Sequence, residues 1–148
     1  MILDELLKFS DGQTVTGGSA VAGTNHIETG AVRRNLGTGR PLYLVISIIT
    51  AAAGDGSDTF DFSLVGDTVA PIDGSSVIIA TKRITGVANV AAGTLIVIPF
   101  PPNATDFALI GTYYTTTADA VLTLDAYLTD DAGYDHKAYP DATEGVTV

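Results

Sequence analysis

From residue 14 to residue 129 the chain consists of short runs rich in Val, Ile, Thr, Tyr and Phe, separated by clusters of Gly, Asn, Asp and Pro. Period-two alternation within such runs puts successive side chains on opposite faces of an extended backbone, a pattern suited to strands and not to helices. Residues 59–65 are the clearest case: Phe60, Phe62 and Leu64 share one face and Asp61 and Ser63 the other, as in a sheet with one wet side. Eight strands are predicted, over 14–21, 25–29, 42–50, 59–65, 77–85, 94–100, 107–117 and 120–129. The run LYLVISII at 42–49 is nearly continuous in apolar residues and is expected at the centre of a sheet.

Turn signals separate the runs: Gly-Thr-Gly at 37–39, Gly-Asp-Gly at 54–56, Asp-Gly at 73–74 and Pro-Phe-Pro-Pro-Asn at 99–103. Pro99, Pro101 and Pro102 donate no ladder hydrogen bond, so the strand there ends or lies at a sheet edge. Short strands without an intervening helix predict an all-β domain, a jelly-roll-type two-sheet β-sandwich over residues 1–129, with a closed barrel as the competing shape. At 148 residues one core is expected, burying about 70% of the unfolded chain's surface.

Both ends break the pattern. In MILDELLKF the residues Ile2, Leu3, Leu6 and Leu7 have helical spacing, which predicts a short N-terminal helix within residues 1–10. So short a helix forms only when docked, so these residues and Phe9 either cap their own sandwich or anchor into a neighbouring subunit. After Thr129 comes an acidic C-terminal tail, residues 130–148, with five acidic residues and one lysine. It is expected to be disordered, or to act as an arm with Tyr134 and Tyr139 as anchors and the closing Val-Thr-Val adding a strand to an adjacent subunit.

Charge narrows the function classes. Seven Lys and Arg against seventeen Asp and Glu give a net charge of -10, which argues against nucleic acid and against an anionic membrane. No apolar stretch reaches the roughly 18 residues of a bilayer span, and Asp4 and Glu5 stand where a secretory signal carries Lys or Arg. A protein made in a cytosol is expected. With no cysteine, disulfides, thiolate catalysis and Cys-based zinc sites are excluded. Apolar residues make up 46% and charged residues 16%, so part of the apolar surface is expected to meet another protein.

No constellation for catalysis emerges. GDGSDTF at 54–60 is one copy of a motif that binds calcium when stacked, and one copy is expected to be an acidic turn; Asp55, Asp58 and Asp61 are the oxygen ligands of a weak-calcium alternative. His26 and His136 lack a second histidine at ligand spacing. Ser75 and Ser76 sit in a Gly-Ser-Ser turn without a nucleophile motif, and Asp130 and Asp131 lie at the tail boundary, where no cleft is expected to split their pKa values. Neither a cofactor nor a metal is expected. Arg33, Arg34 and Arg40 form a basic cluster in this acidic chain, either a solvated loop or a set of guanidinium forks for carboxylates on a partner.

The opening MILDELLKFSDGQTVT, followed by a Gly- and Ala-rich turn and Asn-His-Ile-Glu-Thr-Gly, resembles the Bbp16-like family of tailed-phage capsid cement proteins. The matching residues are Met1 to Asp4, Leu7, Phe9 to Asp11 and Gln13, with Pro-Leu-Tyr-Leu-Val at 41–45 as a second likeness. The resemblance implies a jelly-roll-type part on the outer surface of an HK97-like shell. Its partners would be the major capsid protein and further copies of itself, as a dimer or trimer bridging neighbouring capsomers. The tail departs from the shorter family pattern. Two rivals come from other classes: a lectin-like jelly roll that binds glycan, disfavoured by the lack of tryptophan, and a small hydrolase, disfavoured by the lack of a nucleophile motif.

Overall fold

In the computed structural model, residues 7–18, 20–29, 41–101, 107–117 and 121–130 are described. They form nine strands: β1 Lys8–Thr16, β2 Ala20–Ala22, β3 Ile27–Glu28, β4 Tyr43–Ala53, β5 Thr59–Asp67, β6 Val77–Thr85, β7 Leu95–Pro99, β8 Leu109–Thr116 and β9 Val121–Thr129. A 3₁₀ turn, Val87–Val90, connects β6 to β7.

The strands make two antiparallel sheets, one ordered β1-β9-β4-β7, the other β2-β8-β5-β6 with β3 also paired to β8. If β2 and β3 are taken as one interrupted strand, the first pairs with the last, the second with the seventh, the third with the sixth and the fourth with the fifth. That nesting of an antiparallel ribbon is the jelly roll, and it excludes the closed barrel. As predicted, 42–49 falls in a central strand, β4, between β9 and β7. Pro99 closes β7, which is both an edge strand and the end of its run.

The core lies between the sheets. Leu44, Ile46 and Ile48 of β4 and Leu122, Leu124, Ala126 and Leu128 of β9 face Phe60, Phe62 and Leu64 of β5 and Ile110 and Tyr114 of β8, all buried. Phe62 and Tyr114 meet edge to face with ring centroids 6.3 Å apart. A smaller cluster on the outward face of the five-stranded sheet joins Val65, Leu109 and Ile72. Ile72 comes from the β5–β6 hairpin, which folds back over β8: a Cβ on Gly111 would stand 2.9 Å from Ile72 Cγ1.

Two expectations near the N-terminus need correction. The helix predicted over 1–10 does not include residues 8–10, which open β1 and pair with β9. Burial of Phe9 and a strand ladder outweigh a marginal helix. Residues 1–6 lie outside the described residues. The strand predicted over 14–21 is two strands in different sheets, split by the turn at Gly17 and Gly18, where Gly18 takes φ +70. Of the tail, Asp130 alone is described.

Candidate interaction surface

Of the residues singled out in the sequence as partner-binding, Leu7 and Phe9 fall within the described residues. Phe9 is 0% exposed inside the main core, and Leu7 is partly buried against it. Both therefore pack against their own sandwich, the cap of the two alternatives for Leu7 and Phe9. Ile2, Leu3, Leu6, Arg33, Arg34, Arg40, Tyr134 and Tyr139 lie outside the described residues.

The Phe-Ser-Asp-Gly-Gln segment at 9–13 is a latch between sheets. Register shifts on either side of Ser10 mark an irregular stretch that takes in Asp11 and Gly12; Gly12 has φ +58 and its N–H donates to Asp125 Oδ1 at 2.6 Å. Ser10 Oγ lies 2.8 Å from Tyr114 Oη and donates to Gln13 Oε1, while Gln13 Nε2 donates to the Ala22 carbonyl. Thr112 Oγ1 also bonds Tyr114 Oη, at 2.7 Å. Burial pushes the Tyr114 hydroxyl up to about 12, against the opposing effect of the Ser10 and Thr112 bonds. The part of the sequence that carries the family likeness most sharply thus holds the fold together.

The three aspartates of GDGSDTF do not converge. Asp55 accepts from the Ser57 hydroxyl and N–H, which lowers its pKa. Asp58 is buried and accepts from the Asp55 N–H and the Thr117 hydroxyl, tying the β4–β5 turn to the end of β8. Asp61 takes a two-point ion pair from Arg83, at 2.6 and 2.7 Å. Among the described residues no group of three acidic, His or Cys side chains is arranged to hold a metal. His26 is exposed, with Nε2 3.8 Å from Glu28. Ser75 and Ser76 donate to Asp73 and Asp67 within the β5–β6 hairpin, as turn-capping groups.

Among the described residues, the β6 edge of the five-stranded sheet and the part of its outward face beside it stay exposed. Asp61, Ser63, Ile78, Thr81, Arg83, Tyr113 and Thr115 line a shallow groove of about 450 Å³. Beside it Val69, Val77 and Ile78 are 69%, 54% and 60% exposed, three of the five large apolar side chains left exposed among the described residues. A signal for this was present in the sequence: Val77, Ile78 and Ile79 are consecutive, and a period-two strand cannot turn all three inward. The local electrostatics are divided. Bonds from Ser76 to Asp67 and from Ser75 to Asp73 hold both hairpin carboxylates below their ordinary pKa, whereas Lys82 and Arg83 follow on β6.

No curated protein matches the chain. The model of the Bbp16 family matches residues 9–126, from the latch in β1 to the middle of β9, and so covers both sheets of the sandwich. The chain therefore belongs to the Bbp16 family.

Proposed function

We propose that this protein is a structural part of a tailed-phage particle: a cement, or decoration, protein that binds the outside of an HK97-like shell and holds neighbouring major capsid proteins together. The observation that carries the reading is the family match across residues 9–126. The architecture supports it, since the described polar side chains are spent on turns, the inter-sheet latch and surface pairs, while apolar side chains stand exposed along one sheet edge. A rigid sandwich that contacts several shell subunits at once raises the free energy of opening the shell by mass action and multivalency. Its net charge of -10 keeps it from competing for the packaged genome. In this reading the protein is no enzyme, needs no cofactor, is made in the host cytosol and acts on the outer surface of the virion.

The test mixes the purified protein with shells that lack it. Co-sedimentation and a raised shell melting temperature are expected. Protein left in the supernatant over unchanged shells would refute the reading.

A further inference from the structure

The groove on the outward face of β5, β6 and β8 is built as rows that cross three strands. Asp61 lies in register with Arg83 and Thr115, Ser63 with Thr81 and Tyr113, and Val65 with Ile78 and Gly111. The first row is ionic, the second carries hydroxyls and the third is apolar, so polarity falls toward the β5–β6 hairpin. The rows are fixed in advance. Arg83 holds Asp61 at two points, and on the floor the buried Ser63 donates to Thr81 at 2.9 Å. Tyr113 is half-buried against Val65, Ile72 and Leu109, and a Cβ on Gly74 would stand 3.2 Å from its hydroxyl.

Hydrogen-bonding capacity is left over on this face. The pair with Asp61 uses Arg83 Nε and one hydrogen of Nη2, which leaves Nη1 to donate and a further lone pair on each Asp61 oxygen to accept. Among the described residues the Tyr113 and Thr115 hydroxyls have no hydrogen-bond partner. The same few side chains therefore present donors, acceptors and, in Tyr113 and Ile78, an apolar wall.

Charge selects among ligands of that pattern. Asp61 and Arg83 cancel, the ionised Asp67 and Asp73 stand on the neighbouring hairpin, and the whole chain carries -10, so an anionic ligand is repelled. Lys82 does not offset this, because it lies in register with the core residue Phe62 and so belongs to the opposite face. An extended peptide satisfies its backbone at a strand edge, whereas this groove lies on a face whose ladder bonds are already made. A neutral sugar meets each requirement. Its ring has a C–H face for Tyr113 and Ile78, and its adjacent hydroxyls both donate and accept, as the Asp61–Arg83 pair demands.

We propose that this groove is a binding site for neutral glycans, with the Tyr113 ring as the platform and Asp61 and Arg83 as paired acceptor and donor for adjacent hydroxyls. Tyr113 takes the place of the tryptophan that the chain lacks. One shallow site binds weakly, and copies arrayed on a particle would strengthen the contact by multivalency. The site does not depend on the capsid reading, which adds only the array.

Amide chemical shifts of the full chain test it, titrated with methyl glycosides of glucose, galactose, mannose and N-acetylglucosamine and with sialyllactose as the anionic control. At least one neutral sugar is expected to saturate with a Kd of about 1–10 mM. It should move the amides of Asp61, Ser63, Thr81, Arg83, Tyr113 and Thr115 and leave those of β1 and β7 in place. Asp61→Asn and Tyr113→Leu should each raise that Kd about tenfold, and Thr115→Val, at an exposed position that the fold does not need, about threefold. Thr14→Lys, on β1, should leave it unchanged. The proposal is overturned if none of these neutral sugars moves the groove amides at about 50 mM, if the shifts fall elsewhere, or if sialyllactose binds more tightly. Loss of sugar binding once the protein is seated on shells also overturns it, because a segment of the shell protein is then the occupant. Shell co-sedimentation is scored separately, so the glycan site and the capsid reading fail independently.

Discussion

The four-stranded sheet protects both of its borders, β1 with two register shifts and β7 with a terminal proline, whereas β6 of the five-stranded sheet has no strand on its outer side among the described residues. Away from that edge the outward faces are alike: Val45 and Tyr127 on the first are 0% and 4% exposed and Val65 and Leu109 on the second 1% and 6%, whereas Ile78 on β6 is 60% exposed. Since both sheets contribute to one continuous core, the difference does not reflect weaker folding of the second sheet. The difference is one of edge treatment: β1, β7 and the β2–β3 edge are blunted by register shifts, a proline and a break, whereas β6 begins with the exposed Val77 and Ile78.

The shared core is the first thing to challenge. Phe62→Ala in one sheet and Leu124→Ala in the other should each cost about 2–5 kcal/mol, with Phe62→Ala at the upper end, and both should leave a single unfolding transition in urea. Two separate transitions would mean that the sheets are independent.

The latch between sheets has a pH signature. The folded-state pKa of Tyr114 is raised from 10.0 to about 12, so the folded state favours the neutral phenol. Its contribution is complete below pH 10 and is lost as pH rises through about 12, roughly 3 kcal/mol in all. Tyr114→Phe should start less stable by about 1–3 kcal/mol and show a shallower alkaline loss between those limits, measured by unfolding at each pH.

On the outward face, Gly111→Ala drives a methyl group into Ile72 and should cost about 1–3 kcal/mol. Ile72→Ala should absorb part of that cost in the double variant, a non-additivity that thermal unfolding would read directly. The smallest stability effect belongs to the open edge: Ile78→Lys should move unfolding by no more than about 0.5 kcal/mol, because the side chain is 60% exposed. A larger loss would mean that Ile78 packs within the fold despite its exposure.

Much of the sandwich was legible in local pattern. Alternation in 59–65 and the apolar run at 42–49 identified β5 and the central β4, and residues 77–85 match β6 at both ends. The first part of β1 was hidden because its irregular stretch at Asp11 and Gly12 breaks the period between Ser10, which bonds Tyr114, and Gln13, which bonds Ser10, and the leucines before it imitate a helix. The candidate surface was harder to read. Whether Val77 and Ile78 are covered depends on which strand neighbours β6, and that is decided by the nesting of the whole ribbon and by no residue near them. For Phe9 the sequence left cap and anchor equally open, because a large aromatic serves a core as readily as a partner, and its burial is the cap.

The most direct test of the account is a cryo-electron microscopy difference map between shells with and without the protein. The account predicts added sandwich density on the outer surface, touching at least two neighbouring capsomers. No added density, or density confined to the interior, would contradict it.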